Sequence, residues 1–406
     1  MTHLAPFLIP PAPGTGQSLV VEDALAAVRR HLDMPIAYLS VFEGDDVVFR
    51  AVSTDHVPAV LVAGSRRPAE GSYCKAVRDG DLPQLLPDTR VNPFAMAMPV
   101  TMTLPVGAMI AIPLNMRDGT TYGMFCCLSH VPLPALNDRD HAVMQTFANL
   151  VADVIGIGLS TELLHSAKRR AIEDVIIDRD FQFLFQPIVT LADNSVAGAE
   201  ALCRFRPTPY RSPDKWFADA REVGMQRELE RAVIAKTLDM LSELPMSLKL
   251  SINVSPDLLV SCDLAGLIDG PFSDRIVFEL TEHENFGSIT DLQHQMKRLR
   301  RRGAKIAVDD LGAGYASLNT ALQIKPDIVK LDREMVRGIY LDPASRALTA
   351  GIVHFADAIG AEVIAEGIER QDEVNTLVDL GVRYGQGYLL GRPGSMTALQ
   401  ARTFTC

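Results

Sequence analysis

Four things that would place this chain quickly are missing from it. Its six cysteines (Cys74, Cys126, Cys127, Cys203, Cys262, Cys406) show no CxxC spacing and no dense framework. That argues against a cysteine-built zinc site and against a disulfide scaffold, and it fits a reducing cytoplasm. Positive charge is in deficit, with 39 Lys and Arg against 50 Asp and Glu for a formal net charge of -11. Without a cationic face, no general binding of a nucleic-acid polymer or an anionic membrane surface is expected. No uninterrupted apolar run approaches the roughly 20 residues of a membrane span, so no membrane insertion is expected. The opening MTHLAPFLIPPAPGTG has no Lys or Arg before its apolar residues and is rich in proline, which makes it a poor secretion signal. The expectation is a cytoplasmic protein. An anionic substrate would then need positive charge supplied locally, and bound metal ions could supply it.

What is present suggests two domains. The chain has 406 residues, 48% of them apolar and 22% charged, a globular composition too long for one ordinary core. Residues 1–17 read as an irregular lead. From Ser18 to Asp33 the apolar positions Val20, Val21, Ala24, Leu25, Val28 and Leu32 recur at helical spacing. Strand-like stretches Ile36 to Phe42 and Val47 to Val52 flank the turn chemistry of Glu43-Gly44-Asp45-Asp46. A second hairpin is expected between Met109 to Leu114 and Tyr122 to Leu128, with Asp118-Gly119 at its turn. A short helix near Ser72 to Arg78 lies between them. Asn137 then offers a cap to a long amphipathic run. In that run Val143, Phe147, Leu150, Val154 and Ile157 follow alternating steps of four and three, the seam spacing of a two-helix coil. The run is either the last helix of the first domain on its own sheet or a signalling helix that joins two subunits.

From Phe181 the pattern changes to short apolar strands alternating with helical stretches. Eight strands are expected: Phe183 to Val189, Ala197 to Cys203, Leu248 to Val254, Ile276 to Leu280, Ile306 to Val308, Ile328 to Leu331, Val363 to Ala365 and Tyr384 to Leu389. A βα barrel and a doubly wound open sheet both satisfy this count. Polar residues sit at the strand ends: Glu200, Asn253, Glu279 with Glu282, Asp309 with Asp310, Lys330 and Glu366, with Gln386 in the eighth strand. In a parallel barrel these ends converge on one face. Carboxylates so crowded repel one another and hold protons unless a cation intervenes. The donors are Asp, Glu and an Asn carbonyl, which favour hard divalent cations over zinc. The adjacent Asp309 and Asp310 would let one carboxylate bridge two ions, and two ions are the usual machinery of in-line phosphodiester hydrolysis.

These residues fall in an ordered series: Gln186-Pro187-Ile188, Glu200-Ala201-Leu202 with Arg204, Ser251-Ile252-Asn253-Val254-Ser255, Glu279-Leu280-Thr281-Glu282, Asp309-Asp310-Leu311-Gly312-Ala313-Gly314-Tyr315, Lys330-Leu331-Asp332, Ala365-Glu366-Gly367-Ile368-Glu369 and Gln386-Gly387-Tyr388. The series resembles the EAL-domain cyclic di-GMP phosphodiesterases from about Phe183 to Pro393. The resemblance implies a TIM-like (β/α)8 barrel that opens cyclic di-GMP to linear pGpG with two divalent cations, Mg2+ or Mn2+. By it, Glu200, Asn253, Glu279 and Asp309 would hold the first ion, and Asp309, Asp310 and Glu366 the second. Lys330 would orient or polarise the attacking water. Catalysis would thus rest on Lys330, Glu200, Glu366 and Asp310. Arg204, Gln186 and Gln386 would contact substrate. Glu282, Thr281, Gly312 and Gly314 would govern the loop after the fifth strand, which the family associates with metal occupancy and dimer contacts. Leu311 replaces the usual phenylalanine, the stretch Arg206 to Pro213 is shorter than the common form and proline-rich, and Arg221 stands where a glutamate is frequent.

The first half is similar to a GAF sensor domain, an α+β fold, in its order of helix, hairpin, mixed segment, hairpin and long helix. That implies a small ligand or dimerisation. Cys126-Cys127 with His130 admit a redox or haem reading against the commoner one of buried strand cysteines. The expected layout is α/β and α+β in two domains: a GAF-like domain over 18–159, a connecting helix over 160–177, an EAL barrel over 178–396 and a tail over 397–406. A homodimer is expected. The alternative function is a silent cyclic di-GMP receptor that signals to a protein partner.

Overall fold

The computed structural model describes residues 16–55, 61–268, 270, 272–281, 289–311 and 322–403. The chain forms two compact units, Met1–Leu164 and His165–Cys406.

The first unit is one antiparallel sheet with a core on each face. Its strands are β1 (Ile36–Glu43), β2 (Asp46–Thr54), β3 (Arg66–Pro68), β4 (Leu85–Leu86), β5 (Ala108–Asn115) and β6 (Thr121–Ser129), in the order β3-β2-β1-β6-β5-β4. Its helices are α1 (Gly16–His31), α2 (Tyr73–Arg78), α3 (Pro93–Ala97), α4 (Pro99–Thr103) and α5 (Asp138–Asp178). Alternation along β1 sends Ala37, Leu39 and Val41 to one face, where Leu25 and Val28 of α1 and Met144 and Val151 of α5 cover them. Ile36 and Tyr38 go to the other face, against Tyr73, Cys74 and Val77 of α2. The α2 start is capped by the Ser72 hydroxyl, which accepts from Lys75 N. The same alternation separates Cys126 from Cys127. Both thiols are fully buried, but Cys126 joins the α2 side and Cys127 the α1 side. Neighbours on one strand point apart, so the two do not act as a pair.

The helix α5 is one continuous run of 41 residues, and Asn137 caps its start by accepting from Arg139 N. Among the described residues it is the one helix long and apolar enough, by length and composition, to cross a membrane. Part of its apolar surface is used, with Met144, Ala148, Val151, Ala152 and Ile155 buried on the first unit's sheet and Ile172 and Val175 in the core of the second, while Leu150, Ile157, Leu163, Leu164 and Ile177 are exposed.

The second unit is a closed barrel in the order β10-β11-β12-β13-β14-β7-β8-β9. Its strands are β7 (Phe181–Thr190), β8 (Val196–Phe205), β9 (Lys249–Asn253), β10 (Ile276–Thr281), β11 (Lys305–Leu311), β12 (Ile328–Leu331), β13 (Glu362–Ala365) and β14 (Tyr384–Gly385). It departs from an all-parallel barrel at one place. β7 runs antiparallel to both its neighbours, β8 and β14, because a short turn joins it to β8 and leaves no room for a crossover helix. Two further differences from the sequence reading concern single residues. β8 continues to Phe205, so Glu200 is mid-strand, beside Ser251 of β9. β14 stops at Gly385, so Gln386 lies just past it.

Candidate active site

Side chains two apart on a strand share a face, and this decides what lines the barrel's interior. Val277, Ala307, Ile328 and Ile364 form a buried apolar layer with Ile188. Two residues further along each parallel strand stand Glu279, Asp309, Lys330 and Glu366. β7 runs the other way, and there the polar residue, Gln186, comes two positions before Ile188. The apolar layer is therefore a floor, and the polar layer above it faces the carboxyl ends of the parallel strands.

Lys330 is the centre of that layer. It is 1% exposed, and its Nζ lies 2.5 Å from Glu366 Oε1, 2.9 Å from Glu279 Oε2, 3.3 Å from Asp309 Oδ1 and 3.9 Å from Glu200 Oε2. Gln386 donates from Nε2 to Glu200 Oε2 at 2.7 Å, and Asn253 from Nδ2 to Glu200 Oε1 at 3.0 Å. Glu200, Asn253, Glu279, Asp309, Lys330, Glu366 and Gln386, far apart in the chain, thus stand in one continuous cluster.

Asp310 joins it through a break in strand geometry. In a regular strand Asp309 and Asp310 would point to opposite faces. Here the pairing of β11 with β12 steps from Val308 opposite Val329 to Leu311 opposite Leu331, one residue too many on β11. The surplus is taken up by Asp310, held in the left-handed region at φ 56°, which a bulge permits and a non-glycine residue seldom adopts. As a result, carboxylate oxygens of Asp309, Asp310 and Glu366 come within 4.8 Å of one another.

The electrostatics show a cluster with too little positive charge. Burial pushes the Glu279 carboxyl up to about 8, with Glu200, Asp309 and Glu366 adding to the rise against Lys330. Burial likewise raises Glu366 to about 7, opposed by Lys330 and assisted by Asp309 and Glu200. Asp310 rises to about 6 through burial, then Asp309 and Asp332. Burial also acts against the charge on Glu200, but Lys330, Gln386 and Asn253 outweigh it and hold that carboxyl below its usual value. Burial would lower Lys330, yet the carboxylates around it win and raise it well above an ordinary lysine. One ammonium does not satisfy this set. Glu279 Oε1 and Gln386 Oε1 are buried without a hydrogen-bond partner, and Glu366 Oε1, though close to Lys330, lacks hydrogen-bond alignment. Unpaired buried oxygens, carboxylates pushed toward protonation and an all-oxygen donor set fit hard divalent cations.

The residues expected to meet substrate lie around this centre. Gln186 accepts from Gln386 Nε2 at 3.1 Å and donates to the Gly391 carbonyl at 3.2 Å. Arg204, on β8, donates to the Cys203 carbonyl, and its charge favours the ionised Glu200. Thr281 ends β10. Glu282, Gly312 and Gly314 lie outside the described residues. Two residues with no role in the sequence reading belong to the surroundings. Asp332 helps to raise the Asp310 carboxyl and caps the helix after β12 by accepting from Glu334 N. Glu230, 9% exposed, accepts from both the hydroxyl and the amide of Ser255, and so fixes the turn that follows Asn253. Asp332 sat in a quoted tripeptide and was readable as a cap. Glu230, on a helix distant in sequence, gave no signal.

Comparison with known proteins bears on both units. The sequence model described as EAL domain matches residues 169–393, more than half of the chain, and that described as GAF domain matches residues 19–156. The chain is 31% identical over 233 residues to the probable cyclic di-GMP phosphodiesterase PdeB of Escherichia coli, covering 54% of this chain and 44% of that protein. It is 29% identical over 251 residues to the cyclic di-GMP phosphodiesterase RocR of Pseudomonas aeruginosa, covering 56% and 62%. The chain therefore spans about half the length of these curated relatives. Among solved structures, an EAL domain protein of Listeria monocytogenes superposes with a TM-score of 0.52 at 24% identity, covering 57% of this chain and 96% of that one. That likeness is one of fold.

Proposed function

We propose, since this chain belongs to the EAL domain family, that its barrel hydrolyses cyclic di-GMP to linear pGpG with two divalent cations, Mg2+ or Mn2+. The observation that carries the reading is the burial of Lys330 among Glu200, Glu279, Asp309 and Glu366, with further oxygens left unpaired. Relatives named as cyclic di-GMP phosphodiesterases supply the substrate.

Glu200, Asn253, Glu279 and Asp309 would hold one ion, and Asp309, Asp310 and Glu366 the other. Bound divalent ions supply an activated water near neutral pH and charge stabilisation at the phosphate. The chain's own residues do the rest. Lys330, its protons held by the surrounding carboxylates, is fixed as a cation whose N–H groups can orient a water and offset charge growing on the phosphate. Arg204 would take a phosphate oxygen, for which its planar fork is suited. Gln186 and Gln386, which already touch each other, would border the ring of the substrate. The apolar floor of Val277, Ala307, Ile328 and Ile364 keeps water from reaching the site from below.

The test is turnover of cyclic di-GMP by purified protein with Mg2+ or Mn2+, beside Glu200→Ala and Lys330→Ala. Conversion to pGpG by wild type and its loss in both variants is expected. Wild-type protein that binds cyclic di-GMP but is inert with both ions would instead be a receptor.

The amino-terminal unit would modulate the barrel as a GAF sensor domain, alone or with a small ligand. The exposed Leu150, Ile157 and Leu164 on α5 recur at seven-residue steps, which supports pairing with a second copy. Sedimentation of the full chain beside Leu150→Glu and Ile157→Glu tests it: a dimer that the variants dissociate is expected.

A further inference from the structure

Glu373 forms no hydrogen bond or ion pair with the described residues of the polar layer, yet it is only 2% exposed, and its carboxylate accepts from three backbone amides. Oε2 accepts from Glu369 N at 2.9 Å and Arg370 N at 3.0 Å. Oε1 accepts from Gly338 N at 3.0 Å. The bond from Arg370 is ordinary for a glutamate at the third position of the helix Gln371–Asp379, where it reaches back to the cap amide. The bond from Gly338 is not. That amide belongs to another element, at the end of the helix Arg333–Val336, which follows Lys330-Leu331-Asp332.

The two segments joined in this way lead directly from the site. The turn after β13 begins at Glu366, whose amide donates to the Leu331 carbonyl at the end of β12. Gly367 follows at φ +66°, and a Cβ there would fall 2.1 Å from Arg333 Cγ, so the stem of Arg333 lies flat against this backbone. Ile368 N donates to the Gln386 carbonyl. Glu369 and Arg370 then end on Glu373. The hydrogen bonds named here before Glu373 join backbone groups. The Glu373 carboxylate adds a side-chain hydrogen-bonded link between the loop bearing Glu366 and the loop after Lys330, beside the packing of Arg333 on Gly367 and the ion pair of Lys330 with Glu366.

We infer that Glu373 is a positioning residue for the barrel's metal and water chemistry, holding Glu366 and Lys330 in mutual register from outside the site by spanning Gly338 and the Glu369-Arg370 amides. The inference rests on the phosphodiesterase reading for its chemistry, but its first test does not need turnover. Glu373→Gln is the discriminating variant. A single amide oxygen can still receive Glu369 and Arg370, but the other end then presents an N–H to the Gly338 N–H, so the helix cap survives and the bridge between the loops is lost. Glu373→Ala loses both.

In the full chain, Mn2+ binding is followed by the electron paramagnetic resonance of free Mn2+, thermal unfolding without metal by calorimetry, and kcat and KM with cyclic di-GMP. Partners lying behind metal ligands commonly contribute 10- to 100-fold to affinity or activity. Glu373→Gln is accordingly expected to unfold close to wild type, to weaken Mn2+ binding by about 10-fold, and to lower kcat with KM little changed. Glu373→Ala should show the same losses or larger ones with a clear drop in Tm. Unchanged Mn2+ binding in Glu373→Gln overturns the inference and leaves Glu373 a helix cap, whatever Glu373→Ala does. Should wild type bind Mn2+ but leave cyclic di-GMP intact, the proposed reaction fails, and the Mn2+ titration of Glu373→Gln still decides this point.

Discussion

Each unit buries polar groups, and the contrast between them separates a finished core from a site. In the first unit, Tyr38 and Ser40 of β1 meet the thiol of Cys74 at 3.5 and 3.4 Å. These groups are packed in an apolar core and bond one another. In the second unit, one ammonium stands among four carboxylates, Glu279 and Gln386 keep oxygens without partners, and three carboxyls are driven up toward neutral pH. A satisfied network stabilises a fold and asks for nothing more. An unsatisfied one reserves its unmet oxygens for something that arrives later. The contrast teaches where a ligand belongs without any ligand being seen.

The sharpest way to break the contrast is to remove the cation from the charged cluster. Lys330→Ala should lower turnover of cyclic di-GMP by about 100- to 1000-fold, the range for losing one preorganised donor, without weakening Mn2+ binding. Retained turnover would mean that Lys330 serves the fold alone.

Chelation comes next. Removing divalent ions should abolish turnover, and restoring Mn2+ to about 100 times its Kd should stabilise the protein by about 2.7 kcal/mol. Calorimetry should assign that gain to the barrel's transition. A gain in the first unit's transition would place the metal elsewhere.

A smaller effect should follow pH. Carboxyls whose folded pKa is raised contribute stability that is full below their unfolded value and is lost as pH rises through the folded one. Glu279, Glu366 and Asp310, raised to about 8, 7 and 6, should therefore make the metal-free barrel less stable from about pH 4 to about pH 8. Mn2+ affinity should rise over the same interval, because the ion competes with those protons. A metal-free barrel whose Tm is flat or rises there would contradict the charge excess.

The smallest effect belongs to the satisfied core. Tyr38→Phe deletes one hydrogen bond to Cys74 while Ser40 keeps another, and should destabilise the first unit by about 0.5–1.5 kcal/mol with turnover unchanged. Altered turnover would instead show that this core communicates with the barrel.

The strands and both hairpins were readable because alternation and turn chemistry are local properties. So were the acidic residues at strand ends, since each follows an apolar strand in the sequence. The reversed direction of β7 was legible only in the short gap between Val189 and Ala197, which is too small for a crossover helix, and not in the side-chain pattern of the strand. Nor were the partners of Glu230 and Glu373 legible, the Ser255 hydroxyl and amide for the one and the backbone amides of Gly338, Glu369 and Arg370 for the other, which come near through tertiary packing. A backbone amide has no signature in a sequence.

The amino-acid sequence by itself determined the change near Phe181 from an α+β order to alternating strands and helices, and the residue types from which an oxygen-rich cation site is made. Tertiary structure alone decided how those residues meet. Closure of the sheet brought Lys330 among four carboxylates, three on different strands and Glu366 just past the end of β13, and the surplus residue at Asp310 turned two neighbouring aspartates toward one space. The physical reason is that spacing along a chain sets which face a side chain takes, whereas distance between strands is set by packing and pairing with residues far away.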